Sequence, residues 1–153
     1  MYKVYNIEDF KNNSSLFVYL IDEIYKFSKL LNIKNYLYKE WFYNIQVEKI
    51  GNGRTILFVI NEYNNIVGIC HLKKNDNEKK ICYLYVDLNY RNKGIENILL
   101  EESFNYLNTI KPKFTFCLDE YNVYKGVIDE FGWKISQIGN NCELSYNGRK
   151  KIK

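Results

Sequence analysis

Leu16, Tyr19, Leu20, Ile24, Phe27 and Leu31 recur at helical spacing behind Ser14 and Ser15, either of which can cap the helix they predict. A second amphipathic stretch runs from about Tyr36 to Lys49 and stops at "GNG". At Arg54 the period changes. "RTILFVI" and "IVGICHLKK" read as strands joined by "NEYNN", and a further polar turn, "NDNE", leads into the strand "KKICYLYV". A helix is predicted from Gly94 to about Leu107, then a strand "KPKFTFCL", a helix "NVYKGVIDEF" stopping at Gly132, and a closing hairpin of "WKISQI" and "CELSY". The strand ending at Val86, its helix and the strand from Phe114 form a βαβ unit, which crosses over right-handed and sets those two strands parallel. The expected fold is therefore α/β: a single domain over residues 1–153 with a mixed, mostly antiparallel twisted sheet, one parallel strand pair and helices on both faces.

Composition changes this picture little. The chain of 153 residues is 46% hydrophobic and 26% charged, a globular profile long enough to bury a core without disulfides. Its net charge of +4 invites a nucleic-acid reading, but four of the last five residues are Arg149, Lys150, Lys151 and Lys153. Without them the basic residues match the 18 acidic ones, so the body is neutral and the surplus sits in a basic tail over 149–153. Nucleic acid is not an expected partner, since recognition needs a basic face on the folded body. Cys70, Cys82, Cys117 and Cys142 lie in apolar runs without a CxxC, and His71 stands alone. Buried free thiols are the expectation, and no metal site. The apolar run Leu16–Ile21 meets Asp22 and Glu23 at once, which is neither a signal peptide nor a membrane span; a cytoplasmic protein is expected.

The chemistry concentrates in "YLYVDLNYRNKGIENILL", residues 83–100. A strand, a polar turn with Arg91, Lys93 and Gly94, and a helix follow one another. The first amides of a helix lack intrahelical partners and carry partial positive charge. The N–H groups of Asn92, Lys93, Gly94, Ile95 and Glu96 can thus wrap a pyrophosphate, with Gly94 allowing close approach and Arg91 and Lys93 adding charge. The bland alternative is a solvated turn that merely caps a helix.

Arg91-Asn92-Lys93-Gly94-Ile95-Glu96 resembles the Arg/Gln-x-x-Gly-x-Gly/Ala signature of the GCN5-related N-acetyltransferase (GNAT) superfamily. The strand pattern before it and "VIDEFGWKI" after it, with Trp133 in the aromatic place, are similar to that family too, over about Arg54 to Tyr146. The resemblance implies a core (54–146) holding acetyl-CoA as co-substrate and a helical region (1–50) on the acceptor side. It implies that the strand edge at Leu84, Tyr85 and Val86, splayed from its parallel neighbour, pairs with the pantetheine arm. Tyr121 and Asn122 fall where the family places an Asn against that arm. It further implies an N-acetyltransferase moving an acetyl group to a primary amine, of a small molecule or a peptide, by direct attack. A monomer or homodimer is expected.

Two departures qualify this reading. Glu96 replaces the expected small residue, and a carboxylate about 5 Å from a phosphate charge costs roughly 3 kcal/mol at an effective dielectric near 20. It can turn outward, or cap the N–H of Lys93. The family's proton-donating Tyr is Ile128 here; Tyr124, one turn earlier, is either the donor or a packing aromatic. For a base, Glu78 and His71 are candidates beside a plain water chain. The rival function is a non-catalytic module that binds acyl-CoA or a protein partner on the same fold; an RNA-associated acetyltransferase using the tail is a weaker third.

Overall fold

The computed structural model describes residues 2–31, 37–110, 112–117, 121–138 and 141–146. The basic tail and the "GN" of the last hairpin turn lie outside them. One seven-stranded sheet runs β1-β2-β3-β4-β5-β7-β6 across its width, built from β1 (Val4–Asn6), β2 (Arg54–Ile60), β3 (Ile66–Lys74), β4 (Lys79–Val86), β5 (Lys113–Cys117), β6 (Trp133–Ile138) and β7 (Asn141–Tyr146). Among these described strands β4 and β5 pair parallel and the other pairs are antiparallel. The mixed sheet, the parallel pair and the succession of elements along the chain after residue 54 match the expectation.

β1 was not anticipated. Three residues are too few to establish a period, and their pairing with Leu57–Val59 is a long-range contact. Helix α1 (Ser14–Leu31) starts as expected, but the side chain of Asn13, not a serine, accepts the Leu16 amide at 3.2 Å. The second stretch departs further. Only α2 (Tyr38–Trp41) is α-helical, and a π-helical turn over Phe42–Val47 follows. Phe42 and Gln46, four residues apart, are both buried in it.

Alternation along the strands sorts side chains onto two faces. Leu57, Val59, Leu84, Val86, Phe114 and Phe116 meet α3 (Ile95–Leu107) and α4 (Tyr121–Phe131). Ile56, Phe58, Ile69 and Tyr85 meet Ile21 and Ile24 of α1, Tyr38 and Phe42. Because both faces are covered, β2 reads as a nearly continuous apolar run rather than an alternating one. α3 buries Ile95, Leu99, Leu100, Ser103, Phe104 and Leu107, one stripe at helical spacing, with each large side chain contributing about 1.5–3 kcal/mol. Gly68 of β3 lets the start of α3 come close: a Cβ there would stand 3.0 Å from Ile95 and 3.2 Å from Leu99. That approach fixes where the N-terminus of α3 sits relative to β4.

Candidate active site

β4 and β5 are paired only at Lys80 with Lys113 and Ile81 with Phe114. Beyond that root the strands part, leaving a fork from Cys82 onward. Tyr124 lies in it, 3% exposed, and its hydroxyl donates to the Leu84 carbonyl. A residue's N–H and C=O in an extended strand point to the same edge, so Leu84 and, two residues on, Val86 present their polar backbone groups to the fork. Arg91 reaches the same edge, its Nε donating to the Val86 carbonyl at 3.1 Å.

The turn between β4 and α3 is shaped for close approach. Asp87 accepts the Asn89 amide at 2.9 Å, and Asn92 and Gly94 both take left-handed backbone, at φ 62° and φ 86°. The second position favours glycine, since a side chain there costs about 1–2 kcal/mol. The first helical bond to this turn is Ile98 N–H to the Gly94 carbonyl at 3.2 Å. Among the described residues the amides of Gly94, Ile95, Glu96 and Asn97 have no acceptor, and no side chain caps the helix. A Cβ built on Gly94 would meet nothing within 4 Å, so it would project into open space.

That open space is a cleft of about 580 Å³ between the start of α3 and α4. Arg91, Asn92, Gly94, Glu96 and Asn97 line one wall; Asn122, Gly126 and Glu130, one helical turn apart, line the other. The opposite face of α4 carries Tyr124, Ile128 and Phe131 into the core. Asn97 joins the walls through its amide to Glu130 at 3.3 Å. Glu96 takes neither escape expected of it. Its Oε1 is buried with no partner among the described residues, and no bond to the Lys93 amide forms. The carboxylate stays inside the cleft. Lys93 is exposed, its ammonium 5.6 Å from the centre of the Tyr90 ring. Tyr121 begins α4, its side chain outside the described part.

The two candidate bases lie on the other face of the sheet. His71 is 0% exposed, hydrogen-bonded through Nε2 to the Tyr38 hydroxyl at 2.8 Å and packed edge-on to Trp41, Phe42 and Tyr83. Burial, with the Arg54 charge adding to it, pushes its pKa down to about 3, so the ring is neutral. Glu78 is partly exposed beside the root of the fork and bonds Lys73 at 2.9 Å. That bond holds its carboxyl below the usual range.

A second cavity, about 160 Å³, opens on this face at the fork. Trp41, Arg54, Lys73, Lys80, Cys82, Tyr83, Thr115 and Phe116 surround it. Sequence reading passed over it because its cations come from three strands and are adjacent only after the sheet is assembled.

Residues 30–143 match the family model described as "Acetyltransferase (GNAT) domain". The chain belongs to the GNAT acetyltransferase family. It is accordingly an enzyme of the N-acetyltransferase type. No curated protein matches it. Among solved structures it resembles a GNAT acetyltransferase from Staphylococcus aureus Mu50 (TM-score 0.69, 15% identity, covering 96% of this chain and 100% of that one). The PaiA N-acetyltransferase of Thermoplasma acidophilum, solved with coenzyme A, is similar (0.62, 16%, 99% of both chains). So is Campylobacter jejuni PseH, solved with acetyl coenzyme A (0.60, 16%, 95% and 97%). Against an acetyltransferase from Bacillus anthracis the chain spans only 60% of the other's length (0.50, 19%, 61% of this chain). At these identities the likeness is one of fold.

Proposed function

We propose that this enzyme takes acetyl-CoA as co-substrate in the cleft between α3 and α4 and passes the acetyl group to a primary amine by direct attack across the β4–β5 fork. The observation that carries this reading is the set of unpartnered amides at Gly94–Asn97 opening onto that cleft, with space where a Gly94 side chain would stand. Three relatives of the same fold were solved with acetyl-CoA or CoA, which supports the same ligand here. Bound there, acetyl-CoA supplies an activated thioester.

The chain's own groups then divide the work. Amides of residues 92–96 and the Arg91 guanidinium hold the pyrophosphate. The N–H groups of Leu84 and Val86 meet the amide-bearing arm, and one of them polarises the carbonyl under attack. Tyr124 stands against Leu84 with a hydroxyl able to give a proton to the departing sulfur. Cys82, also at the fork, has its pKa raised by burial and remains a thiol near neutral pH. That favours direct attack over an acyl-cysteine, because the thiolate is the nucleophile. Neither His71, enclosed in the core, nor Glu78, held by Lys73, is well placed to take the amine's proton, so a water route through the fork is preferred.

A second reading has one observation in its favour. The unpaired Glu96 carboxylate in the cleft disfavours phosphates, which suits a weak acyl-CoA-binding module without turnover. The decisive assay is release of free thiol from acetyl-CoA across a panel of primary amines. Amine-dependent release is expected. Saturable binding of acetyl-CoA with no release by any amine would assign the protein to the second reading.

A further inference from the structure

The small cavity on the α1–α2 side of the fork is lined by three cations, of which only Lys73 has an ion pair among the described residues. Arg54, Lys73 and Lys80 come from three adjacent strands, and all three point to this face by strand alternation. None of the described residues that line the cavity is a carboxylate. Glu78, just outside it, is engaged by Lys73 at 2.9 Å and stands 3.9 Å from Lys113. Lys80 has no ion pair among the described residues. Arg54 is only partly exposed, and its partners among the described residues are neutral groups. Its Nη1 donates to the Gln46 Oε1 at 2.8 Å and to the Cys82 sulfur at 3.8 Å, and its guanidinium lies 5.8 Å from the Trp41 ring centre.

Gln46 is itself locked. Its amide nitrogen donates to the Thr55 and Leu72 carbonyls at 2.7 and 3.3 Å, so its oxygen presents one fixed acceptor to Arg54. The guanidinium is thus positioned, not merely tolerated. On the far wall the Thr115 hydroxyl is buried with no partner among the described residues. Holding a guanidinium out of bulk water without a counter-ion is unfavourable, and so is a buried hydroxyl without a partner. One anion between Arg54, Lys80 and Thr115 answers both.

We propose that this cavity is the subsite for an anionic group on the acceptor, so that the amine acetylated belongs to a molecule that also carries a carboxylate or a phosphate. The inference rests on the acetyl transfer proposed above, and it adds the substrate class. The cavity opens at Cys82 and Thr115, the residues just past the root of the fork, whereas Leu84 and Tyr124 lie further along it. An anion seated at Arg54 and Lys80 therefore leaves an amine a few atoms away free to extend toward Leu84. The volume, about 160 Å³, suits the anionic end of a small molecule rather than a polymer.

Binding separates this inference from turnover. Calorimetric titration of the protein saturated with coenzyme A would use 4-aminobutyrate and 3-aminopropyl phosphate, with 4-aminobutanol and putrescine as comparisons whose second group is neutral or cationic. Either anionic amine is expected to bind at least tenfold more tightly than both comparisons, and the better of the two identifies the group. Lys80→Gln, a partly exposed position that leaves Gln46 and Arg54 untouched, should reduce that preference at least threefold. Circular dichroism would establish that the variant is folded, and Arg54→Lys should act in the same direction. Equal binding of either comparison amine overturns the subsite, as does a preference unchanged in folded Lys80→Gln. Anionic amines that bind selectively without releasing thiol from acetyl-CoA would uphold the subsite and refute acetyl transfer. Faster acetylation of putrescine would do the reverse.

Discussion

The cleft on the α3–α4 side of the fork and the face on its α1–α2 side solve opposite problems. The first is built from backbone: unpartnered amides, a left-handed glycine and a parted strand edge, all within residues 84–97. The second is built from side chains gathered from β2, β3, β4, β5 and the π-helical turn. Backbone groups suit a ligand every member of a fold family shares, because they survive sequence change. Side chains from distant segments suit whatever differs between members. The charged side chains differ as well, with Arg91, Glu96 and Glu130 lining the first region and the cations of Arg54, Lys73 and Lys80 the second.

Acid should strike the second region first. Below pH 6.5 the unfolded chain takes up a proton on His71 that the folded chain refuses until about pH 3. The unfolded state then binds more protons, so the stability contributed by neutral His71 is complete above pH 6.5 and is lost as pH falls through that window. The total is about 4–5 kcal/mol by pH 3, an order-of-magnitude figure at about 1.4 kcal/mol per pH unit. Urea unfolding between pH 7 and 4.5 should show this slope in the native protein and a shallower one in His71→Gln. Parallel slopes would mean that other groups govern acid lability.

Glu96→Gln sharpens the contrast from the other side. It keeps the side chain's size and removes the only charge of the wrong sign within the motif hexapeptide. Affinity for coenzyme A should rise by up to about 3 kcal/mol, less where solvent screens the charge, and become more sensitive to salt. Loss of binding in calorimetry would mean that Glu96 serves the site, by holding Arg91 or a ligand hydroxyl. Smaller again is the effect expected of Tyr124→Phe. Turnover should fall about tenfold, roughly 1.4 kcal/mol, with acetyl-CoA affinity unchanged. Equal turnover would leave Tyr124 as a packing residue between Phe114 and Phe116.

How much of this was legible in the sequence differs between the two regions for a physical reason. Arg91 to Glu96 and the strand before them are contiguous, so periodicity and turn chemistry locate the cleft's first wall unaided. α4's contribution at Asn122, Gly126 and Glu130 follows from helical spacing once its partner face is known. The cationic cavity was not legible, because Arg54, Lys80 and Thr115 become neighbours only through the pairing of β2 to β5. Gln46 was hidden differently: its spacing from Tyr38 and Phe42 puts it on the buried face, but a polar residue there reads as a gap in the apolar stripe. β1 was missed for lack of length, and the cap of α1 fell to Asn13 because an asparagine oxygen reaches the third amide as readily as a serine one.

The claim that the turn before α3 holds the pyrophosphate of coenzyme A through its backbone faces its sharpest test in calorimetry on Gly94→Val. A valine there must either adopt φ near 86° or distort the turn, and its methyl groups enter the open space the ligand would use. Coenzyme A affinity should fall at least tenfold in a variant whose circular dichroism matches the native protein. An unchanged affinity in that folded variant would contradict the claim and remove the phosphate from this cleft.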